Sequence, residues 1–190
     1  MSRMQVREQI IAAALRRLNR DPAASMADLA EAAGVSRATL NRHFAGRNEL
    51  IDEIGTQALD RWERVLDDTG VDAAAASADP DVHAATVRAV LEEFAGVAHE
   101  HGWALTSEEV EARPHLRERS DRLEDREIVL YTAAQRSGVL RTDLPVRWIS
   151  NTVYGMCVAA RESLRRGDVA PRDVARLMAE TFLSGTEARP

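Results

Sequence analysis

The stretch that most constrains this chain runs SMADLAEAAGVSRATLNRHFAGRNEL, from Ser25 to Leu50. Its apolar residues recur at steps of three and four, halt at a glycine and resume, which is the pattern of two short helices joined by a tight turn. Ser25 stands where a helix cap belongs, and Met26, Leu29, Ala30 and Ala33 then form one stripe. Ala30 is small enough to let another helix cross closely. Gly34 suits the left-handed backbone by which a chain leaves a helix sharply, and Val35 plugs the corner. Ser36 is placed to cap the second helix, in which Leu40 and Phe44 face back toward Leu29 and Val35. Arg37, Ala38, Thr39, Asn41, Arg42 and His43 are left on or near the opposite surface. Guanidinium, amide, hydroxyl and imidazole groups are the ones that bond base edges and phosphates, so the expected role of this face is to read DNA.

The charge along the chain agrees. The formal total is −6, yet residues 1–48 hold eight arginines against four acids, a local +4, which leaves −10 for residues 49–190. Phosphate attraction is a screened, local field, so an acidic body beyond roughly 10 Å does little to oppose it. At 190 residues there is length for one or two domains and a sizeable core. Aromatics make up only 4%, so that core has to be aliphatic and alanine-rich. Cys157 is the one cysteine and excludes an internal disulfide. No apolar run is long enough for a membrane span or secretory signal, so a cytoplasmic location and no membrane partner are expected.

The segment from Ser25 to Leu50 resembles the N-terminal domain of the TetR family of transcriptional regulators. The resemblance rests on the run LAEAAGVS, on TLxxHF after it, and on a basic residue, Arg47, opening the following helix. The family commonly has a tyrosine after that leucine, contacting a backbone phosphate, where this chain has Asn41. An amide can bond a phosphate or an adenine edge instead. The resemblance implies an all-α protein: a three-helix, helix-turn-helix DNA-binding domain at 1–48 and a helical effector-binding and dimerisation domain at 49–190. It implies a repressor that binds a palindromic double-stranded operator as a homodimer and is released by a small-molecule effector, with no cofactor. The DNA contacts expected on the matching positions are Ser25, Ser36, Arg37, Ala38, Thr39, Asn41, Arg42, His43 and Arg47.

The remaining periodicity is also helical. Val6, Ile10, Ile11, Ala14, Leu15 and Leu18 stripe a helix from about Arg3 to Asn19, with Arg3 and Arg7 free to reach DNA. Leu50, Ile51, Ile54, Ala58, Trp62, Val65 and Leu66 stripe another from Arg47 to about Asp68, a rod of roughly 33 Å at 1.5 Å per residue. Its two ends would lie in different domains, which makes it the candidate lever. After Gly70, VDAAAASAD reads as a loose loop. Asp79 and Pro80 open a helix with Val82, Ala85, Val90, Leu91, Phe94, Val97 and Ala98 inward, closed by Gly102. Thr106 and Glu109 have capping-box spacing ahead of a short helix limited by Pro114. A charge-rich helix to Ser137, a helix ending at Gly167 and one opened by Pro171 complete the chain, and nothing demands a strand.

One reading module makes few contacts, so dimerisation is expected. Trp148, Thr152, Gly155, Met156, Ala159, Ala160, Ser163, Leu177, Met178 and Phe182 offer small and apolar surface for an interface, consistent with the family's four-helix bundle, although each also suits the core of one subunit. For the implied effector pocket the candidates are Trp62, Phe94, His101, Trp103, Tyr131, Gln135 and Tyr154, aromatic or polar residues in aliphatic surroundings that ordinary packing also explains. A regulator without ligand is the alternative. His99, Glu100 and His101 raise a metal sensor, but residues two apart on a helix diverge. There is no nucleophile elbow, phosphate-binding glycine loop or paired-carboxylate signature, so an enzyme is not expected.

Overall fold

Three of the longer helices open on proline: Pro80, Pro114 and Pro171 each sit in a first helical turn, where a missing N–H costs nothing. The computed structural model describes residues 3–188. Among the described residues ten helices follow one another: α1 (Arg3–Arg20), α2 (Met26–Ala32), α3 (Arg37–His43), α4 (Arg47–Asp68), α5 (Val71–Ala75), α6 (Pro80–Leu105), α7 (Glu108–Glu111), α8 (Pro114–Arg136), α9 (Val146–Arg166) and α10 (Pro171–Thr186). Among the described residues there is no strand, only an isolated bridge between Leu140 and Glu187. Among the described residues no helix is long and apolar enough to cross a membrane.

The first three helices close on one apolar centre. Ile10, Leu18, Leu29, Leu40 and Phe44 are fully buried there, with Leu50, Ile51 and Ile54 of α4 as its floor. Local chemistry sets the corners. The Ser25 backbone N–H donates to Asp28 Oδ2 at 2.7 Å while the Asp28 N–H donates to Ser25 Oγ at 3.3 Å, a reciprocal cap that holds the Asp28 carboxyl below its usual range. Gly34 turns the chain at φ +67°, and the Val35 N–H reaches back to the Ala30 carbonyl at 3.0 Å. Asn19 then ties α1 to the end of α6: its amide donates to the Glu100 carbonyl at 2.8 Å and accepts from the Trp103 N–H at 2.9 Å.

The other helices pack around α6, which lies against α1, α4, α9 and α10. Arginines of α8 tie its polar side to α4 and α5: Arg119 pairs with Asp60 and Glu63, and Arg126 with Asp67 at 2.7 Å and Asp72 at 2.8 Å. Leu116 and Leu123 turn inward, so the charge-rich half of α8 is amphipathic along its whole length.

Four local expectations are corrected. Residues 71–75 form α5 instead of a loose loop, because Val71 and Ala74, one turn apart, bury against α8 and alanine favours helix. At the start of α6 the buried side is His83, Thr86 and Val87, while Val82 and Ala85 are exposed. His83 is satisfied by Ser137 Oγ at 2.7 Å and the Ser77 carbonyl at 3.2 Å. Gly102 does not end α6 but gives room to Arg161, whose Cγ would lie 3.1 Å from an added Cβ. The cap of α7 is Ser107, accepting from the Glu109 N–H at 3.2 Å, whereas the Thr106 hydroxyl donates to the Gly102 carbonyl at 2.7 Å.

Gly34 has open space around it but a left-handed backbone, so Gly34→Ala is expected to destabilise by about 1–2 kcal/mol through backbone strain alone. Urea unfolding of the two proteins measures this, and equal midpoints would mean that the turn relaxes.

Candidate DNA-reading surface and internal cavity

The outer side of α3 is what its buried side allows. With Leu40 and Phe44 at 0% exposure, Arg37, Ala38, Asn41 and Arg42 stand in solvent, and Thr39 and His43 are half-buried. Ser25 and Ser36, the two caps, are exposed beside them. Thr39 is oriented by the Ser36 hydroxyl at 3.0 Å and by Arg42 Nη2 at 3.3 Å. Among the described residues neither Arg37 nor Arg42 has a carboxylate within ion-pair distance, so both charges are open to a partner. Arg7 is not free to reach DNA as expected: it lies over the Phe44 ring, 4.7 Å from its centre, and pairs with Glu53 at 2.9 Å.

Arg47 also departs from expectation. Its guanidinium is half-buried, bonded to both Glu109 oxygens at 2.8 and 3.0 Å and to the Ala24 carbonyl at 2.7 Å. The charge expected to meet a phosphate is committed to joining α4, α7 and the α1–α2 connection. Arg113 repeats the tie from the far side of α7, pairing with Asp52 and approaching Asn48 Oδ1 at 3.3 Å.

Further along α4 a cavity of about 340 Å³ opens between α4, α6, α7, α8 and α9. Gly55, Leu59 and Trp62 of α4 face Phe94 and Val97 of α6, Val110 and Glu111 of α7, Leu116, Arg117, Asp121, Glu124 and Glu127 of α8, and Ser150, Asn151, Tyr154 and Cys157 of α9. Gly55 makes the close approach possible, since a Cβ there would fall 2.5 Å from Leu116 Cδ1 and 3.0 Å from Val110 Cγ1. Trp62 and Phe94 meet edge to face with centroids 6.2 Å apart.

At the wall sits a buried acid. Glu127 is 3% exposed, and its oxygens accept from Trp62 Nε1 at 2.6 Å and from the Tyr131 hydroxyl at 3.1 Å. No cation pairs with it among the described residues. Burial pushes its carboxyl up to about 7, against the pull of those two hydrogen bonds and with a further push from Glu124. Tyr131 is raised for the same reason and by Glu127 itself, and burial holds the Cys157 thiol up at about 12, protonated and unreactive at neutral pH.

Of the residues expected in a pocket, Trp62, Phe94 and Tyr154 line the cavity. Tyr131 is behind Glu127, fully buried, its ring tilted against Phe182. His101, Trp103 and Gln135 are elsewhere. His101 lies outside the cavity lining, its imidazole pulled down by burial; Trp103 is buried beside Asn19 at the α1 junction; and the Gln135 amide holds the Arg141 and Leu144 carbonyls at 2.8 Å each. The described residues bring together no three His, Cys, Asp or Glu able to hold a metal.

On α9 and α10, Trp148, Gly155, Ala159 and Leu177 are exposed, with Thr152, Met156 and Ser163 half-buried next to them. Ala160 and Met178 are buried but form the floor of an apolar groove of about 140 Å³ with Val174 and Leu177. Phe182, expected at an interface, is instead part of the subunit's own core at 1% exposure.

Residues 10–54 match the family model of bacterial regulatory proteins, tetR family. No curated protein matches the chain in sequence. The fold resembles that of LfrR, a TetR-like transcriptional regulator from Mycobacterium smegmatis solved in complex with proflavine, at 21% identity over 96% of this chain and 97% of that one, with TM-score 0.73. The ketosteroid transcriptional regulator KstR2 of Mycobacterium tuberculosis aligns at 16% identity over 96% and 95% of the two chains, TM-score 0.70. AibR, solved with isovaleryl coenzyme A and operator DNA, aligns at 18% identity over 93% and 97%, TM-score 0.68.

The Glu127 shift fixes a pH dependence. The folded protein keeps that proton up to about pH 7, whereas an unfolded chain releases it near 4.5, so stability is highest below the lower value and falls as pH rises through the window. Above about pH 7 the full cost, roughly 3 kcal/mol at 1.36 kcal/mol for each pH unit, weighs on the fold. Glu127→Gln should therefore outlast the parent in thermal unfolding at pH 8 and lose that advantage toward pH 4.5. A constant difference across the range would contradict the burial argument.

Proposed function

We propose that the chain, whose residues 10–54 match the family model of bacterial regulatory proteins, tetR family, is a ligand-responsive transcriptional repressor of that family. In this reading residues 1–48 bind DNA and residues 49–190 hold an effector and join two subunits. Two α3 helices enter successive major grooves of a palindromic operator, where Arg37, Asn41 and Arg42 meet base edges and phosphates, with Ser25, Ser36, Ala38, Thr39 and His43 beside them. A small molecule in the cavity ends that binding. The protein is a regulator and not an enzyme.

The observation that carries the reading is that one helix serves both sites. The first turn of α4 is the floor of the reading module and carries Arg47, while its middle, at Gly55, Leu59 and Trp62, is a wall of the cavity. A molecule pressing on that wall or on Val110 acts on α7, and α7 is bonded to Arg47 through Glu109. Solved relatives holding proflavine and isovaleryl coenzyme A support the idea that this fold takes small molecules, and the presence of a cavity favours a ligand-responsive regulator over a constitutive one. A coupling of about 1–3 kcal/mol changes operator affinity by roughly 5–150-fold, enough for a switch.

Dimerisation is assigned to the exposed side of α9 with Leu177 and the neighbouring groove. Gly155 is exposed with no atom within 4 Å of an added Cβ, so Gly155→Glu leaves a single subunit undisturbed. It is expected to halve the sedimentation mass, and an intact dimer would move the interface elsewhere.

The operator is found by sequencing genomic fragments that the purified protein retains. On it, Arg37→Ala and Arg42→Ala are each expected to weaken binding with the dimer intact, by about 1–3 kcal/mol where a base contact is lost, or with a salt slope lowered by about 1 where a phosphate contact is lost. Full operator affinity in both variants would show that α3 is not the reading helix.

A further inference from the structure

We propose that the cavity takes an organic cation, an amine or quaternary ammonium on an apolar or aromatic frame, with its charge seated against Glu127. The proposal rests on the cavity being the effector site and names the chemistry of its occupant. Its starting point is a carboxylate in the wrong place for a core. Glu127 lines the cavity at 3% exposure, and its two hydrogen bonds, from Trp62 and Tyr131, use one acceptor site on each oxygen and leave the others open. Burying an acid with no cation beside it is costly, and a glutamine would accept from Trp62 without that cost. A positive charge entering from the cavity removes the penalty, which gives the acid a purpose that packing does not.

The rest of the wall agrees. Trp62, Phe94 and Tyr154 supply aromatic surface, and such faces attract cations, most strongly away from water. Glu111, Asp121 and Glu124 add negative charge along the same cavity. Glu124 is partly offset by Arg147, 3.7 Å away, and by the Ser150 hydroxyl at 3.1 Å. The one basic side chain in the wall, Arg117, is exposed at its edge. An anion entering here meets four carboxyl groups and one arginine, and a neutral molecule leaves Glu127 as unpaired as before. The volume of about 340 Å³ suits a compact ligand at the lower end of small-molecule sites.

The test uses the full-length protein and three probes of similar shape: benzyltrimethylammonium, its uncharged carbon analogue neopentylbenzene, and phenylacetate. Binding is followed by calorimetry and by tryptophan fluorescence, to which Trp62 contributes from the wall. The cation is expected to bind at least tenfold more tightly than either of the others. Glu127→Gln should erase that preference while keeping affinity for neopentylbenzene. Tyr154→Leu, at a half-exposed position whose replacement spares the core, should weaken the cation severalfold. Stronger binding of the neutral or anionic probe, or an unchanged preference in Glu127→Gln, would overturn the cation assignment and leave the effector cavity standing. If none of the three binds and none alters operator affinity, both the assignment and the effector reading fail.

Discussion

The structure depends on the continuity of one helix. Twenty-two residues of α4 run unbroken from the underside of the reading module to the cavity and beyond, and a hydrogen-bonded rod of that length, roughly 33 Å, transmits tilt far more readily than it bends. Its first half is held by Leu50, Ile51 and Ile54 in the same apolar centre that fixes α3. Its second half is held by Ala58, Leu59, Val65 and Leu66, buried in the body, and by ion pairs to α8. Whatever alters the fit between α4 and its neighbours at Gly55 must either be absorbed locally, where Leu116 and Val110 leave no slack, or be passed to the end of the rod.

Charge is arranged around that rod in two different ways. On α3 the arginines are exposed and unpaired, which suits a surface meant for a polyanion. In the body four arginines are spent on internal work: Arg47 and Arg113 bind α7 to the start of α4, and Arg119 and Arg126 bind α8 along its back. Each such pair contributes little in water, and together they add a fixed geometry to the apolar contact that Val110 and Leu116 make with α4 at Gly55. Glu127 is the exception, an acid inside the protein with hydrogen bonds and, among the described residues, no cation. It is where stability has been given up, and sites of that kind are commonly functional.

Much of this was legible in the chain because the signals were local. Ser25, Gly34, Ser36, Leu40 and Phe44 lie within twenty residues of one another, and each acts on its immediate neighbours, so capping, turn and burial followed from spacing. The proline-opened helices are of the same kind. What escaped was decided between distant segments. Glu127 stands in a run of charges that reads as solvated, and only the meeting of α8 with Trp62, 65 residues earlier, buries it. Arg47 reads as a phosphate ligand until α7 brings Glu109 to it from 62 residues away. Phe182 has the spacing of an interface residue, but its partner is Tyr131 in the same subunit. Gly55 carried a signal that was available, a glycine in the middle of an apolar stripe, which commonly marks a close approach of two elements.

If α4 links the two sites, occupancy of the cavity and of the operator must oppose each other by the same factor, because a coupling free energy has no direction. The decisive measurement is operator affinity with and without a saturating cavity-bound compound, set beside the affinity of that compound with and without saturating operator. Equal losses are expected in the two titrations, within the range of roughly 5–150-fold. An operator affinity that does not change when the cavity is full would contradict the link through α4.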